Sequence, residues 1–255
     1  RCFDMRVPEE INRKIVDHTA DINMTYSTIA RDYLISEGIP KDLIIKIGSP
    51  MFEVIDFYKK KIEDSTILID LNLKNNNYFL ASFHREENIN SSNFEKIINI
   101  LNNLVNKYNI EVIVSTHPRT RNKINQSNCK LNKKIKLIKP QSFTDYIQLQ
   151  VNARIVLSDS GTINEESSIL NFPAINIRDT HERPEAMEET AVMMTGVNIE
   201  RVNQAIDIIM KNENGKDRSL HSVYDYKSKN ISEKVLRIII SYTDYIQRKI
   251  WKKFL

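Results

Sequence analysis

Short apolar runs alternate with longer amphipathic stretches along this chain, and that alternation constrains the fold more than any other feature. Strands and helices that alternate in this way require right-handed crossovers, so the pattern predicts an α/β fold with a parallel sheet. The runs rich in β-branched or aromatic residues predict buried strands at Tyr78–Phe83, Glu111–Thr116, Ile135–Lys139, Arg154–Ser158 and Ala174–Arg178. Apolar residues at helical spacing predict helices at Ser91–Tyr108, Phe143–Asn152, Ile163–Asn171 and Ile199–Lys211.

A smaller group of elements precedes this region, and one long helix follows it. Upstream, the sequence predicts strands at Asp21–Thr25 and Leu43–Ile47 and helices at Thr28–Glu37 and Phe52–Lys61. The stretch 59–77 is polar and charged, which is typical of a boundary between domains. The final stretch, Ser232–Leu255, has an apolar stripe that predicts one helix.

Composition excludes several classes of protein. The 37 Lys and Arg against 33 Asp and Glu give a net charge of +4, but they are spread along the chain, and the one dense basic run lies at 248–253. A solvated helix face explains that run better than a nucleic-acid or membrane patch. No apolar run is long enough to cross a bilayer, and the 2 cysteines fit a reducing cytoplasm and offer no zinc-binding spacing. We therefore expect a cytoplasmic protein with no metal, no cofactor and neither nucleic acid nor membrane as a partner.

The strongest local motif is the strand, turn and helix that run from Val156 to Glu166. The strand ends in small hydroxyl residues and Gly161, and a helix follows directly, which leaves backbone N–H groups and the positive helix end free to bind an anion. Ser160 adds a hydroxyl donor, and Glu166 in the first turn could accept from ribose hydroxyls or simply complement the helix dipole. An ordinary capped turn explains the spacing equally well.

Three further strands are predicted to end in polar loops at the same edge of the sheet. His84 and Arg85 follow the first strand and could donate to a phosphate, although a solvated loop histidine is the more common reading. Arg178 and Arg183 lie in a loop dense in charges and could clamp a diphosphate or form a surface salt-bridge cluster. His117 follows the second strand.

The chain opens with Pro8, Glu9 and Glu10 before a predicted helix. Proline suits the first helical position, and the two carboxylates complement the helix dipole there. Capping alone accounts for these residues, and their spacing assigns no catalytic role.

Taken together, these motifs resemble one family, the non-hydrolysing UDP-N-acetylglucosamine 2-epimerases. Four motifs fall in the family's order and approximate spacing, and the resemblance runs from Arg1 to about Lys211. The branch that makes UDP-N-acetyl-L-fucosamine is similar in further details, among them Thr162 and His181. The matching motifs are Pro8-Glu9-Glu10-x-Asn12-Arg13, His84-Arg85-x-Glu87-Asn88, Ser158-Asp159-Ser160-Gly161 with Glu165-Glu166, and Arg178-Asp179-Thr180-x-Glu182-Arg183-Pro184-Glu185.

The resemblance implies a GT-B arrangement of two Rossmann-like domains and an isomerase that inverts C2 of a UDP-N-acetylamino sugar. The reaction credited to the family eliminates UDP to give a 2-acetamidoglycal and then adds it back, in the synthesis of surface-polysaccharide precursors. The products considered are UDP-N-acetyl-L-fucosamine and UDP-N-acetylmannosamine. A homodimer, or a separate chain that supplies the N-terminal domain, is the expected assembly.

The resemblance also implies roles for individual residues. Glu9 matches a catalytic carboxylate, and His84 is the second residue expected at the reacting centre, beside the phosphates. The remaining positions match binding residues: Ser160 and Gly161 for the diphosphate, Glu166 for the ribose, Arg178 and Arg183 for the phosphates, and Phe143 for the uracil, while Arg85 and His117 match positions that bind a second, activating nucleotide sugar in some members.

Most of the family's N-terminal domain has no counterpart in this sequence, including a catalytic glutamate upstream of Arg1. We therefore expect residues 1–50 to be a remnant of that domain, 51–215 to be the UDP-binding domain and 216–255 to be a helical tail that packs back on the remnant. On the order of 100–130 further residues are expected upstream, and the chain alone is expected to be inactive. Two other functions stay open: a non-catalytic UDP-binding remnant and a GT-B glycosyltransferase.

Overall fold

A computed structural model describes residues 9–85, 88, 93–127, 129–180, 182–211 and 222–253. Strands β1 and β2 form a small parallel sheet, and β3–β8 form a six-stranded parallel sheet with the order β5-β4-β3-β6-β7-β8. The strands are β1 (Asn23–Thr25), β2 (Ile44–Lys46), β3 (Tyr78–Ser82), β4 (Glu111–Ser115), β5 (Ile135–Ile138), β6 (Ile155–Ser158), β7 (Ala174–Asn176) and β8 (Met193–Met194).

Helices connect the strands in the manner expected of parallel crossovers. The helices are α1 (Glu9–Thr19), α2 (Thr28–Ser36), α3 (Met51–Glu63), α4 (Ile67–Asp70), α5 (Asn93–Tyr108), α6 (Pro118–Gln126), α7 (Phe143–Asn152), α8 (Ile163–Leu170), α9 (Pro184–Glu188), α10 (Ile199–Ile209) and α11 (Ile231–Lys249), with short 3-10 turns at Lys41–Leu43 and Tyr224–Lys227.

Helices cover both faces of the large sheet because its central strands are apolar on both sides. Phe79 and Ala81 of β3 face one cluster, in which the apolar face of α5 packs, and Tyr78 and Leu80 face the other. All four side chains are completely buried. Strands that are covered on both faces in this way read as continuous apolar runs, which is why their positions could be predicted.

The five strands predicted for this sheet are confirmed, with ends shifted by at most two residues. The prediction of a parallel α/β fold is therefore correct. Helix α7 is capped at its start by Ser142, whose hydroxyl accepts from the backbone N–H of Asp145, and α8 is capped at its end by Asn171 in the left-handed conformation. Ser142 directly precedes the predicted start of α7, and Asn171 is the predicted end of α8.

Three predictions of secondary structure need correction. The final helix ends at Lys249 and does not continue through the described residues that follow, where Lys252 adopts a positive φ of 53°. The polar stretch 59–77 contains the end of α3 and all of α4, whose Ile67 is buried against the sheet. Helix α6 is missing from the prediction because it is almost entirely polar and Ile124 is its one buried apolar residue.

The last helix packs against the small sheet rather than the large one. Ile231 and Ile238 of α11 form a cluster with Ile47, which follows β2. Lys46 of β2 pairs with Asp225 in the 3-10 turn before α11, at 2.7 Å. The N-terminal elements are thereby held by the C-terminal segment of the chain.

Candidate functional site

The loops that follow four parallel strands meet at one edge of the large sheet. His84 and Arg85 follow β3, His117 follows β4, Ser160 follows β6 and Arg178 follows β7. Because all these strands run in the same direction, their carboxyl ends lie on the same side, which is where open α/β sheets bind their ligands. The candidate site is therefore assembled from separate parts of the sequence.

In the turn after β6, serine hydroxyls accept hydrogen bonds from the backbone. The Ser160 backbone N–H donates to the Ser158 hydroxyl at 3.1 Å, and the Thr162 N–H donates to the Ser160 hydroxyl at 3.3 Å. A Cβ added to Gly161 would lie 3.4 Å from a carboxylate oxygen of Glu182. The absence of that Cβ leaves the backbone open at the start of α8, where the helix dipole favours an anion.

Glu182 gathers three arginines beside Gly161. Its Oε2 accepts from Arg178 at 3.1 Å and from Arg85 at 3.0 Å, and its Oε1 accepts from Arg13 of α1 at 3.1 Å. Burial alone would raise the pKa of Glu182, but the hydrogen bond and charge of Arg178, together with Arg85 and Arg13, lower it to about 2. Glu182 is therefore a carboxylate at any physiological pH.

Asp159 fixes the loop after β3. Its buried carboxylate accepts from the backbone N–H groups of His84 and Arg85 at 3.0–3.1 Å, and from the side-chain amide of Asn88 at 3.0 Å. The imidazole Nε2 of His84 lies 2.6 Å from the hydroxyl of Ser82. These contacts hold His84 at the edge of the sheet with its side chain exposed to solvent.

Glu166 is a buried carboxylate in the first turn of α8. It accepts a hydrogen bond from the side-chain amide of Gln150 at 2.7 Å. Burial raises the pKa of Glu166, the hydrogen bonds from Gln150 and Thr162 oppose that rise, and the charge of Glu165 adds to it. A carboxyl group in a buried environment that disfavours its charged form is typical of a binding residue.

The neighbouring Glu165 serves a different purpose. It accepts a short hydrogen bond from Ser49 and pairs with Arg183 at 3.2 Å. Burial alone would lower the pKa of Arg183, but Glu165, Tyr226 and Glu185 together outweigh this and raise it, so the guanidinium stays charged. Arg183 also lies over the ring of Tyr26, 5.6 Å from its centroid. The loop after β7 is thus joined to the N-terminal elements.

Helix α1 brings a second carboxylate towards the cluster. Glu9 is exposed at the start of this helix, whereas Glu10 is completely buried and lies 3.4 Å from Arg13. Since Arg13 also binds Glu182, Glu10 is the carboxylate of this motif that is connected to the arginines.

Two predicted residues lie apart from the arginine cluster. Phe143 begins α7 after β5, and its half-exposed ring makes an edge contact with Tyr58, with 5.9 Å between the centroids. His117 is exposed at the end of β4. Pro8, Glu87 and His181 lie outside the described residues. Within the part of the chain that is described, no group of three or more His, Cys, Asp or Glu side chains could hold a metal ion.

Sequence reasoning gave no role to Asp159, Gln150 or Glu182. Asp159 could have been found, since an acidic residue directly after an apolar strand must satisfy its charge locally. The partners of Gln150 and Glu182 are distant in sequence, and no local pattern predicts them.

The fold and the site define a class. A parallel sheet with a serine–glycine turn, converging arginines and a buried acidic residue at its carboxyl edge is typical of Rossmann-like nucleotide-binding domains. The chain belongs to the UDP-N-acetylglucosamine 2-epimerase family, which it matches over residues 1–240.

Individual relatives agree with this assignment. A UDP-N-acetylglucosamine 2-epimerase from Methanocaldococcus jannaschii is 34% identical over 226 residues, which are 85% of this chain and 62% of the relative. The structure of a UDP-N-acetylglucosamine 2-epimerase from Rickettsia bellii is 48% identical with a TM-score of 0.93 and covers 99% of this chain and 68% of that chain. The structure of the M. jannaschii enzyme in complex with UDP-GlcNAc and UDP is 31% identical with a TM-score of 0.85. It covers 94% of this chain and 67% of that chain.

These likenesses confirm the predicted family and the GT-B-type fold. The chain spans about three fifths of the length of the curated relatives it matches. Among the described residues, no helix is both long enough and apolar enough to cross a membrane.

Proposed function

We propose that this chain takes part in the C2 epimerisation of a UDP-N-acetylamino sugar. One observation carries the proposal: Gly161, at the start of α8, lies against a carboxylate that gathers Arg85, Arg178 and Arg13. A diphosphate bound to this turn would meet both the positive end of α8 and the cationic cluster. Membership of the epimerase family supports UDP as the nucleotide.

The proposed binding roles are those that the resemblance to the family implies. Ser160 and Gly161 hold the diphosphate, and the charges of Arg178 and Arg183, with His84, stabilise it as it departs. Glu166 accepts hydrogen bonds from the ribose hydroxyls. Its place in the first turn of α8, close to Ser160 and Gly161, supports this role. Phe143, at the start of α7, contacts the uracil.

The reaction needs a carboxylate to move a weakly acidic proton. Removing the proton at C2 while the C1–O bond breaks gives UDP and a 2-acetamidoglycal, and returning a proton to the other face of C2 with re-addition of UDP inverts that centre. Glu9 carries this role by resemblance to the family. Glu10 is the second candidate, because it is buried and paired with Arg13.

We also propose a product and a metabolic role for the reaction. The product is UDP-N-acetyl-L-fucosamine, for which UDP-N-acetylmannosamine is the alternative, and the reaction belongs to cytoplasmic synthesis of surface-polysaccharide precursors. The alternative role for Arg85, together with His117, is to bind a second nucleotide sugar that regulates the activity. Thr162 in the phosphate-binding turn supports the L-fucosamine branch.

Binding of UDP is tested by calorimetry on the chain and on its Ser160→Ala variant. We expect Ser160→Ala to weaken binding by about tenfold, because a hydrogen bond to a charged ligand is lost. Ser36→Ala is the matched control, since Ser36 is exposed on α2 and its hydroxyl bonds within that helix. Absence of heat with UDP in the unmodified chain would overturn the proposal.

Turnover is tested by following solvent deuterium into C2 of each sugar nucleotide. The chain is assayed alone and with a polypeptide for the part of the relatives that it does not span, and Glu9→Gln is compared with Glu10→Gln. If just one of the two variants loses deuterium incorporation at C2, the residue replaced in that variant is the carboxylate that moves the proton. Binding of UDP without deuterium incorporation under either condition would leave a binding module, and sugar transfer to an added acceptor would indicate a glycosyltransferase.

A homodimer, or a complex with a chain that supplies the N-terminal domain, is the proposed assembly. Ile11, Ile15 and Val16 are more than half exposed on α1. Apolar side chains grouped on one surface helix support an interface there. Light scattering should give twice the monomer mass for a homodimer, and the monomer mass until the second chain is added for the alternative.

A further inference from the structure

One carboxylate joins three segments that are distant in the sequence. Arg85 comes from the loop after β3, Arg178 from the end of β7, and Arg13 from α1. All three donate to Glu182, with distances of 3.0–3.1 Å. Two of them share Oε2, while Arg13 alone uses Oε1, so the carboxylate faces the sheet edge on one side and α1 on the other.

The cluster is largely hidden from water. The Arg178 side chain is 1% exposed and that of Glu182 is 6% exposed, whereas Arg85 and Arg13 are partly open at 26% and 36%. Three guanidinium groups share the one carboxylate of Glu182, and Glu10 lies beside Arg13. In such a place the carboxylate limits repulsion among the arginines and fixes their directions.

The cluster also adjoins the open backbone of the phosphate-binding turn. Glu182 Oε2, which binds Arg85 and Arg178, is the atom 3.4 Å from the position of a Cβ on Gly161. An anion on that backbone therefore lies beside the two arginines that Glu182 orients. Glu182 itself carries the wrong charge to bind the anion.

We propose that Glu182 is a positioning residue: it holds Arg85 and Arg178 towards the proposed UDP site and ties α1 to that site through Arg13. This rests on the proposed function, because it assumes a nucleotide at Gly161. A purely structural ion pair would contribute to stability alone, whereas a positioning residue must also alter UDP affinity and the order of α1.

The test compares Glu182→Gln, Arg13→Gln and a control. Lys14→Gln is the matched control for Arg13→Gln, since it removes the same charge from an exposed neighbour on the same helix. The measurements are UDP affinity by calorimetry and hydrogen exchange of the peptide 9–19, both at pH 7. Glu182→Asp, which keeps the charge on a shorter side chain, tests for rescue.

We expect Glu182→Gln to lower UDP affinity about tenfold and to speed exchange of α1 by a similar factor. Arg13→Gln should speed that exchange to the same extent with a smaller loss of UDP affinity. Lys14→Gln should match the unmodified chain, and Glu182→Asp should recover part of the affinity.

Unchanged UDP affinity and α1 exchange in a folded Glu182→Gln variant would overturn the proposal. If that variant does not fold, the Arg13→Gln and Lys14→Gln pair decides, and equal exchange of α1 in both would overturn it. Failure of the unmodified chain to bind UDP would instead refute the proposed function, and the two failures are thus distinguishable.

Discussion

The side-chain amide of Gln150 donates to the carboxylate of Glu166 across 2.7 Å and joins the end of α7 to the first turn of α8. Both side chains are buried. The hydrogen bonds from Gln150 and Thr162 do not replace the water that an ionised carboxylate loses on burial. Glu166 is thus held in an environment that disfavours its charge, beside the turn where UDP is proposed to bind.

Glu166→Gln should therefore stabilise the protein and weaken its ligand binding. Because the pKa of Glu166 is raised above 4.5 in the folded state, the folded chain binds more protons than the unfolded chain, and stability falls as the pH rises past that value. At pH 7 we expect the variant's free energy of unfolding to be higher by about 1 kcal/mol, with UDP affinity lower by about tenfold. Urea unfolding at pH 5 and pH 7 and calorimetry measure the two effects.

The control for this variant is Glu95→Gln, which removes a carboxylate exposed on α5. It should change neither quantity measurably. A less stable Glu166→Gln variant that binds UDP normally would contradict the assignment of Glu166 to the site.

Gly161→Ala separates binding from folding. The added methyl group would lie 3.4 Å from Glu182, which is an ordinary contact, and the backbone at this position does not have a positive φ. We expect the free energy of unfolding to change by less than about 0.5 kcal/mol and UDP affinity to fall by at least about tenfold, since a phosphate can no longer reach the backbone. Thermal unfolding with and without UDP measures both.

Gly48→Ala provides the contrasting variant. Gly48 has a φ of 93°, and an added Cβ would overlap Ser228. This variant should lose stability because of strain and collision. Equal losses of stability in the two variants would contradict the view that glycine at position 161 serves to let a phosphate reach the backbone and is not required by the backbone conformation.

The strands of the large sheet could be predicted because each is a buried apolar run bounded by polar turns. The helices predicted at Phe143–Asn152 and Ile163–Asn171 were found from apolar residues at helical spacing, and the second ends one residue early, at Leu170. Helix α6 and the two-residue strand β8 could not be predicted, since neither has a periodic apolar pattern of sufficient length.

The site was predictable only in its local parts. The turn at Ser160 and the charged loops at Arg85 and Arg178 could be placed at one sheet edge because the strands were predicted to be parallel. Their connection through Glu182 depends on contacts between segments up to 169 residues apart, and no local pattern encodes these. The choice between Glu9 and Glu10 likewise depends on which side of α1 faces the protein.

Tyr226→Phe should weaken the contact between α9 and the 3-10 turn that precedes α11. The buried Tyr226 hydroxyl donates to Glu185 at 2.8 Å, and the other oxygen of Glu185 accepts from Ser27 at 3.2 Å. Removal of the hydroxyl leaves one buried carboxylate oxygen without this donor, so we expect a loss of about 1–3 kcal/mol in the free energy of unfolding. Urea unfolding measures it, and Tyr224→Phe, at a position that is 81% exposed, should be neutral.

Acid should destabilise the chain partly through Glu182. Its pKa falls from an ordinary value of 4.5 to about 2 in the folded protein, so the stabilisation it provides is present above pH 4.5 and is lost as the pH falls from there towards 2. Between pH 6 and pH 3 we expect the unmodified chain to lose about 2 kcal/mol more than Glu182→Gln, which has no carboxylate to protonate. Glu188→Gln, at an exposed position on α9, should follow the unmodified chain. Parallel pH profiles for Glu182→Gln and the unmodified chain would show that the three arginines do not hold this carboxylate as the structure indicates.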